Sequence, residues 1–247
     1  MGVLEMFRTC FCLMLFVCTS MMTAQAGVMI YGTRVIYNQG EREQQVRLTN
    51  DGDIPLLVQA WLDTGEEKAI EETSVPFVIT PPVFRMAPQK GQTLRIVYTG
   101  EDLPQDKESV FWLNILEIPP KAEAESGSGI LQLAIRTRIK LFFRPPALKE
   151  EPKEIEKKLT WEIVERAADN TLSVRVSNAS AYFVSFLDAG LKTGEAYHPL
   201  ETSMLAPGAS AVFNLASPGK ITQPVDRIVF NLIDDFGAVR NFEKTLK

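Results

Sequence analysis

The stretch from residue 130 to 146, "ILQLAIRTRIKLFFRPP", decides the fold. Leu131, Leu133, Ile135, Ile139, Leu141 and Phe143 take alternate positions, broken only by Thr137, while Arg136, Arg138, Lys140 and Arg144 fall between them. Alternation of this kind, in β-branched and aromatic residues, predicts a strand with one apolar and one charged face. From Ile130 to Phe143 such a strand spans roughly 46 Å, whereas ordinary strands are about five or six residues long. A domain of about 100 residues has a radius of gyration near 13 Å and is only roughly 35 Å across. The strand therefore overruns its own domain. Periodicity alone leaves two readings open: the early apolar residues enter this chain's core, or they serve another molecule.

Outward from that strand, the chain is a succession of short alternating runs. "GVMIYGTRVIYN", "QQVRLTN", "PLLVQAWLD", "PFVITPPVFRM", "QTLRIVYTG" and "SVFWLNILEI" precede it, separated by turn residues such as Asn50-Asp51-Gly52 and Thr99-Gly100-Glu101. With the long run they predict seven strands in about 120 residues, the pattern of an immunoglobulin-like β-sandwich without its Cys-Trp-Cys pin. "RPPALKEEPKEIEKK" then combines prolines with dense charge and reads as a linker. "LTWEIVE", "TLSVRVSN", "YFVSFLDAG", "SAVFNLA", "DRIVFNLID" and "RNFEKTLK" form a second set. The fold class expected is all-β, with two immunoglobulin-like sandwiches joined by a short linker. "PPKAEAESGSG" reads as a loop before the long strand, and no internal repeat is visible beyond the strand rhythm.

The N-terminus carries Arg8, the apolar run "CFCLMLFVC" and the small residues Ala24-Gln25-Ala26. This reads as a secretory signal peptide over residues 1–26, too short in its apolar core to span a bilayer. All three cysteines, Cys10, Cys12 and Cys18, lie inside it, so the mature chain is exported without disulfides and depends on its apolar cores. The net charge of −5 belongs to the mature part and argues against nucleic acid. No later stretch is long and apolar enough for membrane insertion.

Enzyme chemistry finds no foothold. Without cysteine there is no thiol nucleophile, and His198, the single histidine, sits in "EAYHPL", read as a turn. No G-x-S-x-G elbow, H-E-x-x-H helix or phosphate-binding glycine loop is present, and "DDFG" at 234–237 lacks the other kinase motifs. No catalytic residue, metal site or cofactor is expected.

One pattern is far more specific. "LPQDKESVFWLNILEIPP" at 103–120 resembles the signature of the periplasmic pilus-assembly chaperones of the chaperone-usher pathway. The resemblance continues through "IRTRIKLFFRP", "VQAWLD" and "ITPPVFRM", and more weakly through "SNASAYFVSF" and "LIDDFGAVR", covering essentially the whole mature chain. It implies two immunoglobulin-like domains, 27–146 and 147–247, with a cleft between them, and a periplasmic chaperone that binds fimbrial subunits and delivers them to an outer-membrane usher. It also implies donor-strand complementation, in which a strand at about 130–143 completes a subunit's unfinished sandwich and Leu131, Leu133 and Ile135 fill its groove, with Gly129 at its shallow end. At about 1.5 to 3 kcal/mol each, three such side chains would supply roughly 5 to 9 kcal/mol before ordering costs. Arg34 and Lys140 match the family's anchor for the subunit's terminal carboxylate, where a guanidinium and an ammonium fix one chain end. Glu108, Arg144 and Asp235 match a set of structural charges that bridges the domains. The short loop before the long strand resembles the short-loop branch of the family. Two alternatives remain: an immunoglobulin-like pilus subunit or adhesin, and a sugar-binding module.

Overall fold

The computed structural model describes residues 27–66, 74–121, 132–148, 152–166, 171–217, 221 and 224–246. The leader, Gly129 and Leu131 lie outside these residues. Nine strands make the first half: β1 Val28–Ile30, β2 Arg34–Asn38, β3 Gln44–Asn50, β4 Leu56–Asp63, β5 Phe77–Thr80, β6 Val83–Met86, β7 Gly91–Tyr98, β8 Ser109–Ile118 and β9 Ile135–Arg144. They form two facing sheets, ordered β1-β3-β7-β5 and β2-β9-β8-β4-β6.

Two of the seven runs expected from sequence are each split between the sheets. "GVMIYGTRVIYN" leaves β3 after Ile30 and joins β9 at Arg34, turning at Gly32, whose φ of 109° favours glycine. "PFVITPPVFRM" divides at Pro81-Pro82, because proline cannot donate to a ladder, so β5 pairs β7 while β6 pairs β4. Period-2 patterning continues through such a switch, since both sheets face one core. Tyr37, Leu48, Leu94, Ile96, Leu113, Ile115, Leu141 and Phe143 are its largest fully buried members. Rings of Tyr37, Phe77, Tyr98, Phe111 and Phe143 pack edge-on, tilted or stacked within it.

The linker ends in a 3₁₀ turn at Pro152–Lys158, the one helical element among the described residues. Seven strands follow: β10 Leu159–Arg166, β11 Thr171–Asn178, β12 Phe186–Thr193, β13 Ala196–Leu200, β14 Ser210–Asn214, β15 Arg227–Ile233 and β16 Val239–Thr245. Their sheets run β10-β11-β14 and β13-β12-β15-β16, over a separate core that includes Val174, Leu191, Phe213 and Phe230. His198 is on strand β13 rather than in a turn, its Nε2 3.0 Å from Thr193 Oγ1 across the β12–β13 hairpin. The sequence run missed β13 because Pro199 interrupts its alternation.

A repeat invisible in the sequence links the halves. At the end of β3 the buried Asn50 accepts the Gly52 N–H and donates to the Ile54 carbonyl. At the end of β11, Asn178 accepts the Ser180 N–H and donates to the Tyr182 carbonyl. Each asparagine satisfies the backbone of the following bend at the same offsets, so the same local device closes the same corner of both sandwiches.

Candidate functional site

Strand β9 organises the site. Its odd residues Ile139, Leu141 and Phe143 enter the first core. At its early end Leu133 is 65% and Ile135 57% exposed, although both share the parity of the core residues. Among the described residues the strand begins at Ile135, and residues 132–134 lie outside it, which shortens the fourteen-residue expectation. The physical cause lies in β8: its register pairs Glu117 with Ile135, and Pro119-Pro120 then ends the ladder. Gln132 donates instead to the carbonyls of Pro119 and Pro120, at 2.7 and 3.0 Å. Leu133 and Ile135 border a cavity of about 140 Å³ at the end of the sandwich, with Ile54, Leu56 and Glu117.

The other edge of β9 is only partly covered. β2 runs parallel to it from Arg34 opposite Lys140 to Asn38 opposite Arg144. Among the described residues no strand pairs the Ile135–Ile139 segment on that side. The even-numbered side chains hold this half-paired segment down on the outer face. Arg136 and Arg138 both reach Asp63, at 3.1 and 2.5 Å, and Arg136 also donates to Asn114 Oδ1. The two guanidiniums lie over the rings of Trp61 and Trp112, 5.0 and 4.8 Å from their centroids. Burial opposes ionisation of Asp63, but hydrogen bonds from Arg138, the Gly65 N–H and Asn114 outweigh it and hold the carboxyl below its ordinary value. Sequence reading saw these cations but not the cluster. The available signal was the Trp61–Asp63 alternation on β4, the strand beyond β8.

Arg34 and Lys140 stand opposite one another at the junction of the two halves. Arg34 Nη1 donates to the Ile233 carbonyl at 3.0 Å, and Lys140 Nζ to Ser185 Oγ at 3.1 Å. Neither forms an ion pair among the described residues, and Arg34 Nε is buried without a hydrogen-bond partner. Burial lowers the Lys140 pKa, and the neighbouring Arg34 charge lowers it further. Asp235, Asp234 and Glu108 act on Arg34 from a distance, yet two facing, partly desolvated cations with no ion pair of their own among the described residues are placed to accept an anion. A cavity of about 120 Å³ opens beside them between the sandwiches, lined in part by Arg34, Phe142, Phe183, Ser185 and Phe236.

Glu108, Arg144 and Asp235 meet in one network across the junction. Arg144 Nε donates to Glu108 Oε1 at 2.7 Å, and its two terminal nitrogens grip Asp235 at 2.6 and 2.7 Å. Glu108 also accepts the Phe183 N–H at 2.8 Å, and its own N–H donates to the Ala181 carbonyl. Burial pushes the Glu108 carboxyl up, while Arg144 and the Phe183 N–H pull against that. Those partners from β11–β12 and from Ile233 escaped sequence reading, since a backbone N–H or carbonyl carries no residue signature.

Comparison with known proteins decides what kind of molecule this is. Residues 27–149 match the pili and flagellar-assembly chaperone, PapD N-terminal domain, and residues 154–244 match the pili assembly chaperone PapD, C-terminal domain. The chain belongs to the fimbrial assembly chaperones of the chaperone-usher family. This chaperone is 43% identical to the probable fimbrial chaperone YadV of Escherichia coli over 86% of its length and 87% of the relative's. It is 41% identical to chaperone protein FimB/FhaD of Bordetella pertussis, covering 90% and 89%. The YadV crystal structure superposes with a TM-score of 0.76 at 39% identity, over 90% of the chaperone and 100% of that chain. The SafB chaperone of Salmonella enterica, in complex with the SafA pilin, superposes at 0.73 with 28% identity, over 91% and 99%.

Proposed function

We propose that this chaperone binds fimbrial subunits by donor-strand complementation along β9. The observation that carries the reading is a conjunction: among the described residues no strand pairs Ile135–Ile139 on the side away from β8, and Leu133 and Ile135 are exposed. An unpaired strand edge offers backbone hydrogen bonds to any chain, and alternate apolar side chains fill a complementary groove. A SafB chaperone in complex with a pilin supports subunits as the partner class. Arg34 and Lys140 hold the subunit's terminal carboxylate and so fix its register, which a half-buried face requires because a one-residue slip reverses every side chain. Leu131, outside the described residues, continues the series that Leu133 and Ile135 begin.

In this reading residues 1–26 are removed on export, the mature chaperone works in the periplasm, and an outer-membrane usher receives the loaded complex. The domains are 27–146 and 147–247, with Glu108, Arg144 and Asp235 fixing their angle. Among the described residues no helix is long and apolar enough to cross a membrane. The test is periplasmic co-expression with the fimbrial subunits encoded beside the chaperone gene. Stable co-purification of equimolar complexes is expected; subunits that degrade equally with and without the chaperone would refute the reading.

A further inference from the structure

Phe236 is 94% exposed, the most exposed large apolar side chain among the described residues. It sits at the tip of the β15–β16 hairpin and lines the cavity beside Arg34. A single exposed apolar residue is ordinarily unremarked surface. The backbone beneath this one is not ordinary.

Asp234 Oδ1 accepts the N–H groups of both Phe236 and Ala238, and the Asp234 N–H donates to the Ala238 carbonyl. Gly237 carries a φ of 82°, and a Cβ there would lie 2.5 Å from Thr33 Oγ1, so the hairpin tip abuts the residue preceding Arg34. On the other side Asp235 is gripped by both terminal nitrogens of Arg144. Asp235 is thus bonded to the first sandwich and Gly237 lies close against it, while the Phe236 ring is left in solvent at the cavity mouth. A large apolar surface presented on a pre-ordered backbone loses little freedom on binding, which is the character of an interface anchor.

We infer that Phe236 is a second anchor for the chain end held by Arg34 and Lys140, packing on an apolar or aromatic side chain next to the bound carboxylate. This rests on the proposed carboxylate role of those two cations. The cations would read charge and Phe236 the side chain, so the site would discriminate among subunit termini as well as fix them.

Four synthetic peptides of one alternating apolar sequence test this: ending in Phe or in Ala, each with a free carboxylate or an amide. Wild-type chaperone should bind the Phe-ended acid about 3- to 10-fold tighter than the Ala-ended acid, the range expected for one aromatic pair. In Phe236→Ala that preference should fall below about twofold while the need for a free carboxylate persists. An unchanged preference in the variant, or none in wild type, overturns the inference and leaves the anchor reading standing. Equal binding of acids and amides by both proteins overturns the anchor reading itself, and no binding of any peptide by wild type overturns both. The variant's melting temperature should match wild type, because the ring contacts almost nothing; a large drop would return Phe236 to a structural role.

Discussion

At the scale of single residues, the decisive contrast is between cations with and without a directly bonded carboxylate. Arg144 has two; Arg34 and Lys140 donate to a carbonyl and a hydroxyl and lie over the rings of Phe142 and Trp112. Arg34→Ala or Lys140→Ala should therefore cost the free chaperone about 1 kcal/mol, the worth of one hydrogen bond. Removing one partner of a desolvated carboxylate costs about 2 to 5 kcal/mol, up to roughly 10³-fold in affinity. Thermal melts and subunit co-purification on the same preparations would check both halves. Normal capture by a folded double variant would exclude the anchor. Asp63 gives a pH test. Its folded pKa lies below the ordinary 3.8, so its stabilisation is present above that value and is lost as pH falls through the folded pKa. Asp63→Asn should be less stable than wild type by about 1 to 3 kcal/mol at neutral pH, and the gap should narrow as acid unfolding is followed below pH 3.8.

At the scale of elements, β9 was legible because side-chain parity is written directly in sequence. "IRTRIKLFFR" gives its inward and outward faces correctly, and Leu141 and Phe143 are fully buried as their parity requires. The sequence could not say where the ladder stops, since that depends on Pro119-Pro120 of the strand opposite. Nor could it say that Ile30 and Arg34 belong to different sheets, because both sheets face one core and a crossing strand keeps its alternation. The matched asparagine corners were hidden for another reason: "NDGDI" and "NASAY" share only the residue that makes the bonds, and the rest is backbone. Exposure along one face predicts an energetic gradient along β9. Leu141→Ala should destabilise the chaperone by about 2 to 5 kcal/mol through the cavity it leaves. Denaturant melts should place Ile135→Ala, on the same face but 57% exposed, within about 0.5 kcal/mol of wild type.

At the scale of the whole molecule, two separate cores are joined by a polar junction, and such junctions let domains move unless something fixes them. Arg144 is the hub of that junction. Arg144→Ala leaves Glu108, 3% exposed, without its counter-charge, a loss of about 3 to 5 kcal/mol when a buried pair is broken. Calorimetry should then resolve two transitions in the variant and one in the wild type; a single transition of the variant at the wild-type temperature would show that the backbone bonds of Glu108 and Phe183 suffice. The charged trio itself was available to sequence only through family likeness, since Glu108, Arg144 and Asp235 are distant in the chain and no periodicity joins them.

In the proposed complex Leu133 and the early end of β9 enter another molecule's core. Leu133→Glu separates that role from a place in the chaperone's own core, with a melting curve and a subunit pull-down on one preparation. The variant should be exported and folded within about 0.5 kcal/mol of wild type, as surface changes usually are, and should no longer capture or protect fimbrial subunits. Severe destabilisation would return Leu133 to this chaperone's own core, and normal capture by the folded variant would remove it from the binding strand.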